Sequence, residues 1–208
     1  MGRPMDKAHV EVICGSSGSG KTTYVQRRIR PAKHAWVWDM KAEYPRDPAA
    51  GWRIVERPAD LVRAAREGWP RVSFAASDPG QFGYWCQVAH AAAGILGGLW
   101  VIVEELADVT HPGKAPPAWG VLIRRGRDRG VCVVAVTQRP SESDKTALGN
   151  RTLLRVGRTP AAQDAAYLAA QLGGGVSPAE VQGLPDYAAI VQDARGQVRR
   201  IPATRKRA

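Results

Sequence analysis

Short apolar runs alternate with amphipathic stretches along the whole chain, and glycine and proline punctuate the joins. The first run is Val10-Glu11-Val12-Ile13-Cys14. Two later runs, 99–103 and 131–136, are apolar at every position, the pattern of strands covered on both faces. Further strands are predicted at 35–39, 71–76, 152–156 and 187–192, with a short edge-like one at 52–56. Helical spacing covers 23–30, 59–67, 81–93, 118–125 and 160–172. A short helix opens at Ser177-Pro178-Ala179-Glu180 in capping-box fashion. Residues 110–117 are a proline-rich loop and 141–149 a polar connector. Strand–helix alternation predicts an α/β three-layer sandwich around a mainly parallel central sheet with right-handed crossovers. There is no repeat and no internal boundary. The expectation is one domain over 1–194 and a basic tail over 195–208, which holds six Lys or Arg and no acid.

Composition narrows the class. Of the 208 residues, 44% are hydrophobic and 24% charged, which is globular and excludes a disordered chain. The net charge of +11 calls for a polyanionic partner, nucleic acid or a membrane surface. The three cysteines lie in apolar surroundings without metal-ligand spacing, which fits a reducing cytoplasm. The start lacks the apolar core of a signal peptide, and the longest apolar stretch, 88–103, is broken at 94–98, so no membrane span is expected. Most of the seven tryptophans fall on strands or helices and are expected in the core, whereas Trp119, after the proline-rich loop, is placed at a subunit interface.

Between the first strand and the first helix stands Gly15-Ser16-Ser17-Gly18-Ser19-Gly20-Lys21-Thr22, then Thr23. The spacing is G-x-x-x-x-G-K-T in the strand–loop–helix setting that a phosphate-binding loop requires. Glycines let successive N–H groups converge on phosphate oxygens, and the helix behind adds its positive end. Lys21 would neutralise the β- and γ-phosphates and the Thr22 hydroxyl would hold Mg2+. Ligands of such sheets bind at the carboxyl ends of strands, and those ends carry this loop, Asp39, Glu104 with Glu105, and Gln138. Glu104 would bind Mg2+, through water, and Glu105 would polarise an attacking water. Glu104 is longer than the usual Asp, which opens part of the metal role to Glu105. Gln138 would touch the γ-phosphate or that water. Arg124, Arg125, Arg127 and Arg129 crowd one helix end, with uses as a finger into a neighbouring subunit's site or as DNA phosphate contacts.

These residues resemble the FtsK–HerA motors. The resemblance is carried by Val103-Glu104-Glu105-Leu106-Ala107-Asp108, Arg125-Gly126-Arg127 and Val136-Thr137-Gln138-Arg139-Pro140-Ser141. Asp39-Met40-Lys41-Ala42-Glu43-Tyr44 is similar to the Asp-Pro-Lys-Gly-Glu-Tyr of HerA-type proteins. With the phosphate loop it covers roughly 10–142; Glu104 and Met40 depart from the family's Asp and Pro. The resemblance implies a RecA-like/ASCE P-loop NTPase with an extra strand between the two motif strands. It implies ATP and Mg2+ as cofactors and a homo-oligomeric ring, hexamer or pentamer, translocating double-stranded DNA without reading sequence. Arg127 best matches the family's trans-acting arginine, with Arg124 as the fallback. FtsK's membrane spans and winged helix and HerA's barrel have no counterpart in this sequence. The bare core looks most like the genome-packaging ATPases of tailless, membrane-containing viruses, which implies work in the host cytoplasm or at the packaging vertex and a capsid or virion-membrane docking partner. Alternatives are a Zot-like assembly or export ATPase, a HerA-like cellular translocase and, more remotely, a P-loop kinase. For a kinase, Arg124 to Arg129 would serve as lid arginines.

Overall fold

The computed structural model describes residues 8–75 and 78–203. Nine strands among these join in one sheet: β1 (Val10–Cys14), β2 (Ala35–Trp38), β3 (Arg53–Val55), β4 (Arg71–Phe74), β5 (Leu99–Val103), β6 (Val131–Thr137), β7 (Leu153–Val156), β8 (Ala189–Asp193) and β9 (Val198–Ile201). Their spatial order is β3-β4-β2-β5-β6-β1-β7-β8-β9. The first seven in that order are parallel, while β8 and β9 return antiparallel. The fully apolar β5 and β6 occupy the centre, where every residue is buried. β6 lies between β1 and β5, so an additional strand does separate the phosphate-loop strand from the strand that ends in Glu104 and Glu105. β3 is an edge, with Arg53 and Ile54 exposed and only Val55 buried.

The helices are α1 (Lys21–Ile29), α2 (Pro58–Glu67), α3 (Phe82–Leu96), α4 (Pro117–Arg125), α5 (Lys145–Gly149), α6 (Ala162–Leu172) and α7 (Pro178–Gln182). They divide unequally. Val25 and Ile29 of α1 cover one face of the sheet, packing on Ile13, Val37, Ile102 and Val134. The other helices contribute to the opposite core, with Val12, Trp38, Val101 and Val133. Alternate residues of one strand thus feed opposite cores, which is why the central strands are apolar throughout. Trp38 is the hub of the thicker layer, its ring 5.5 Å from Phe74, 5.3 Å from Phe82 and 5.8 Å from Trp85. Among the described residues no helix is long and apolar enough to cross a membrane.

Three expectations change. Trp119 is fully buried, with its ring 5.7 Å from Phe82 and its Nε1 donating to Asp144 Oδ2 at 2.9 Å, so it is core rather than an interface residue. The connector 141–149 contains α5, whose single turn is too short to show a period. Asp144 caps it by accepting from the Thr146 N–H at 2.7 Å. The basic segment after 194 does not simply trail away: Asp193 Oδ1 accepts from the N–H groups of Arg195 and Gln197, Gly196 turns at φ 77°, and β9 pairs back on β8. Its charges hid a strand whose Arg200 pairs with Glu180 at 2.6 Å. Residues 204–208 of that segment lie outside the described residues.

Candidate nucleotide site

Register alone assembles the site. Val103 stands opposite Trp38 on one side and Ala135 on the other, and Cys14 stands opposite Thr137. Continuing each strand brings Asp39 level with Glu104, Glu105 level with Thr137, and the phosphate loop beside Gln138. Ser17, Gly18, Gly20, Lys21, Thr22 and Thr23 line one cavity of about 230 Å³. Asp39, Glu104, Glu105 and Gln138 line it from the other strand ends.

Within the loop, the glycines answer backbone needs. Gly20 sits at φ 90° and hands the chain to α1, and a methyl group there would come within 2.7 Å of the Tyr187 ring. Gly15, Ser16 and Ser19 lie beneath the loop rather than on the cavity wall. The Gly15 N–H donates to Thr137 O and the Ser16 N–H to Arg158 O, while Ser19 is buried against Gly15 and Gly157. Lys21 Nζ donates to Ser16 O at 3.0 Å. Burial pulls the Lys21 ammonium below its usual pKa, and the Glu105 and Glu104 carboxylates push back.

The two acids part company. Glu104 leans toward β2, where its Oε1 accepts from the Tyr44 hydroxyl at 2.6 Å. Burial raises its pKa to about 7, against the opposing pull of the Tyr44 bond and Lys21. Glu105 is held in the left-handed region, φ 52° and ψ 61°. That turn aims it toward β6, where its two oxygens accept from the Gln138 backbone N–H at 2.9 Å and from Gln138 Nε2 at 2.7 Å. Asp39, 1% exposed, accepts from the Glu43 and Tyr44 N–H groups and from the Ser73 hydroxyl, each at 2.9–3.0 Å. It thereby fixes the turn that delivers Tyr44 to Glu104.

The donor set suits a hard divalent cation only in part. Thr22 and Glu104 offer oxygens to one cavity, but no three carboxylates, imidazoles or thiols converge among the described residues. A Mg2+ ion fits here if phosphate and water oxygens complete its octahedron, its habit in nucleotide sites.

Arg124 and Arg127 are not brought to this cavity. They sit exposed at the end of α4 and in the turn 126–129, against the amino ends of β1 and β6. That is the opposite edge of the sheet, a strand length or roughly 20 Å away. Three contributors escaped the sequence reading. Tyr44 and Glu104 are sixty positions apart and no local signal couples them. Asp108 lines the cavity from the turn after Glu105. Tyr187, which also lines it, adopts φ 65°, a conformation that nothing in a Tyr predicts.

Replacing Tyr44 by Phe is expected to destabilise the protein by about 1–2 kcal/mol, the loss of a buried bond to a carboxylate. A carboxylate whose pKa rises on folding loses stabilisation as pH climbs from 4.5 toward about 7, and without Tyr44 that loss extends higher. The defect in urea melts should therefore be larger at pH 8 than at pH 5.5. An equal defect at both would show that Tyr44 does not act through Glu104.

No protein-family model matches the chain. Among curated proteins it is 34% identical over 137 residues to protein P9 of Pseudoalteromonas phage PM2. That match spans 65% of this chain and 62% of the phage protein, less than two thirds of its length. Among solved structures it is similar to the genome-packaging NTPase B204 of Sulfolobus turreted icosahedral virus 2 in complex with AMPPCP. The TM-score is 0.78 at 16% identity, covering 96% of this chain and all of that one. VirB4 of Thermoanaerobacter pseudethanolicus superposes with a TM-score of 0.62 at 9% identity, over 95% of this chain and 90% of that one. The resemblance carried by the motifs therefore holds in the fold: this is the α/β sandwich of the P-loop NTPases, shared over nearly the full described chain with a viral packaging NTPase.

Proposed function

We propose that this chain, alike in fold to a viral genome-packaging NTPase, is an ATP-hydrolysing motor that drives double-stranded DNA, most simply into a viral capsid. The observation that carries the reading is the convergence on one cavity of the phosphate loop, the Tyr44–Glu104 pair and the Glu105–Gln138 pair. The loop N–H groups and Lys21 bind the triphosphate. Thr22 and Glu104 hold a magnesium ion, which when bound supplies charge neutralisation to the phosphates. Glu105, oriented by Gln138, accepts a hydrogen bond from a water aimed at the γ-phosphorus. The water oxygen bonds to phosphorus as the bond to the β–γ bridging oxygen breaks. ADP departs with that oxygen, and the proton shed by water ends on inorganic phosphate. Glu105 has both oxygens tied to Gln138, so movement of the β6 tip would move the water-binding group with it.

The exposed arginines at the opposite end of the sheet cannot serve their own chain's site. In a closed ring of pentamer or hexamer type, Arg127, or Arg124 beside it, would reach the next subunit's phosphates. The net charge of +11 suits contact with DNA phosphates, without base readout. Such a motor works in the host cytoplasm or at the packaging vertex, with a capsid or virion-membrane component as its dock. The test is steady-state ATP hydrolysis at low salt, with and without random-sequence duplex DNA, alongside the mass of the assembly. Hydrolysis should rise several-fold with DNA, and the stimulation should fade as salt releases the phosphate contacts. A monomer whose phosphate release ignores DNA would overturn the motor and favour a kinase.

A further inference from the structure

Beyond Gly20 and Thr23 a second cavity opens, about 370 Å³ in volume. It exists because the layers are unequal. α1 covers one face of the sheet only as far as β7, leaving β8 and β9 bare on that side. α1 supplies one wall with Tyr24 and Arg27; Leu153 and Arg155 of β7 form the floor; Arg199 of β9 closes the far side. Gly20, Thr23 and Tyr187 line this cavity and the phosphate cavity alike, so the two are halves of one cleft with Tyr187 at the waist. Tyr187 holds a left-handed backbone at φ 65°, a strain of the kind retained at ligand sites.

The chemistry of the second half is one-sided. Arg155 lies with its guanidinium 4.4 Å from the Tyr24 ring centroid. Among the described residues no carboxylate pairs with Arg27, Arg155 or Arg199. The lining contains no Asp, Glu, Asn or Gln, so the hydrogen-bonding side chains are arginine donors, with Thr and Tyr hydroxyls at the rim. A ligand whose phosphates occupy the loop must send its sugar and base past Thr23 and Tyr187 into this space. Guanine offers two acceptors, O6 and N7, on one edge and takes an arginine bidentately; adenine offers one acceptor and one amino donor there, which asks for Asn or Gln instead.

We propose that this cavity is the nucleobase subsite and that Arg155 makes it favour guanine over adenine, so that GTP is bound and hydrolysed at least as well as ATP. The proposal rests on the phosphate-site reading above and adds the base to it. Displacement of a fluorescent nucleotide in the presence of Mg2+ tests it, with ATP, GTP and inorganic tripolyphosphate as competitors. GTP should bind about tenfold more tightly than ATP, the scale of one bidentate contact. Arg155→Gln installs the partner adenine prefers and should reverse that order while leaving tripolyphosphate unchanged. Should that variant fold poorly, Arg199→Ala, at an exposed position, should weaken GTP several-fold, again without touching tripolyphosphate. A preference for ATP in the wild type, or arginine variants that leave both nucleotides unchanged, would overturn the subsite while sparing the phosphate site. Failure of all three competitors to bind would remove the phosphate site, and the subsite with it.

Discussion

Glu105→Gln should lower ATP hydrolysis by about 10²–10³-fold, within the range for losing a positioned base, while nucleotide affinity changes by less than about threefold. The asymmetry follows from what the side chain touches. Its oxygens are engaged by Gln138 and face the space where a water would stand, whereas the phosphates are held by Lys21 and the loop N–H groups. Glutamine preserves the length and one accepting oxygen. Its amide nitrogen would confront Gln138 Nε2, a donor against a donor, which Gln138 resolves by turning its own amide over. The fold is therefore retained, and what disappears is the negative charge that polarises water. Single-turnover kinetics beside equilibrium binding separates the two effects. Normal turnover would remove Glu105 from its role. Gln138→Ala should reproduce part of the loss, and the double variant should cost less than the two singles together, because the residues act as one unit.

Asp39→Ala is the second large effect, this time on stability: about 3–5 kcal/mol, the range for removing one partner of a buried ionic or hydrogen-bonded group. Three donors converge on this carboxylate, and Ala42 in the same turn is held at φ 47°. Without Asp39 the donors are stranded and nothing holds the left-handed residue in place. Tyr44 then drifts from Glu104, so hydrolysis should fall even in molecules that remain folded. Asp39→Asn keeps one accepting oxygen and should recover part of both losses. The measurement is a urea titration of each variant with an ATPase assay below the transition; a cost under about 1 kcal/mol for the alanine variant would mean that solvent replaces the carboxylate.

How much of this was legible depended on range. The phosphate loop, the central strands and the acids at their tips could be read because each is local: a spacing, an apolar run, a residue at its end. Pairing was not legible. That Glu104 turns to Tyr44 and Glu105 to Gln138 depends on register between strands far apart in sequence and on a left-handed residue at 105. The ninth strand was obscured by charge, since Arg199 and Arg200 read as a solvated tail although Asp193 and Gly196 form the turn ahead of them. Trp119 was misplaced because its neighbouring loop suggests a surface, and only the distant Asp144 shows where its indole N–H is satisfied.

The left-handed backbone of Glu105 also bears on what selection can do with this chain. Glycine would adopt φ 52° without strain, and asparagine more easily than glutamate. A population selected only for surviving heat would thus be drawn toward those residues, each step relaxing the backbone and silencing the protein. Holding a carboxylate there requires continued demand for the chemistry, so this position would be among the first to drift in a descendant that kept the fold and lost the activity.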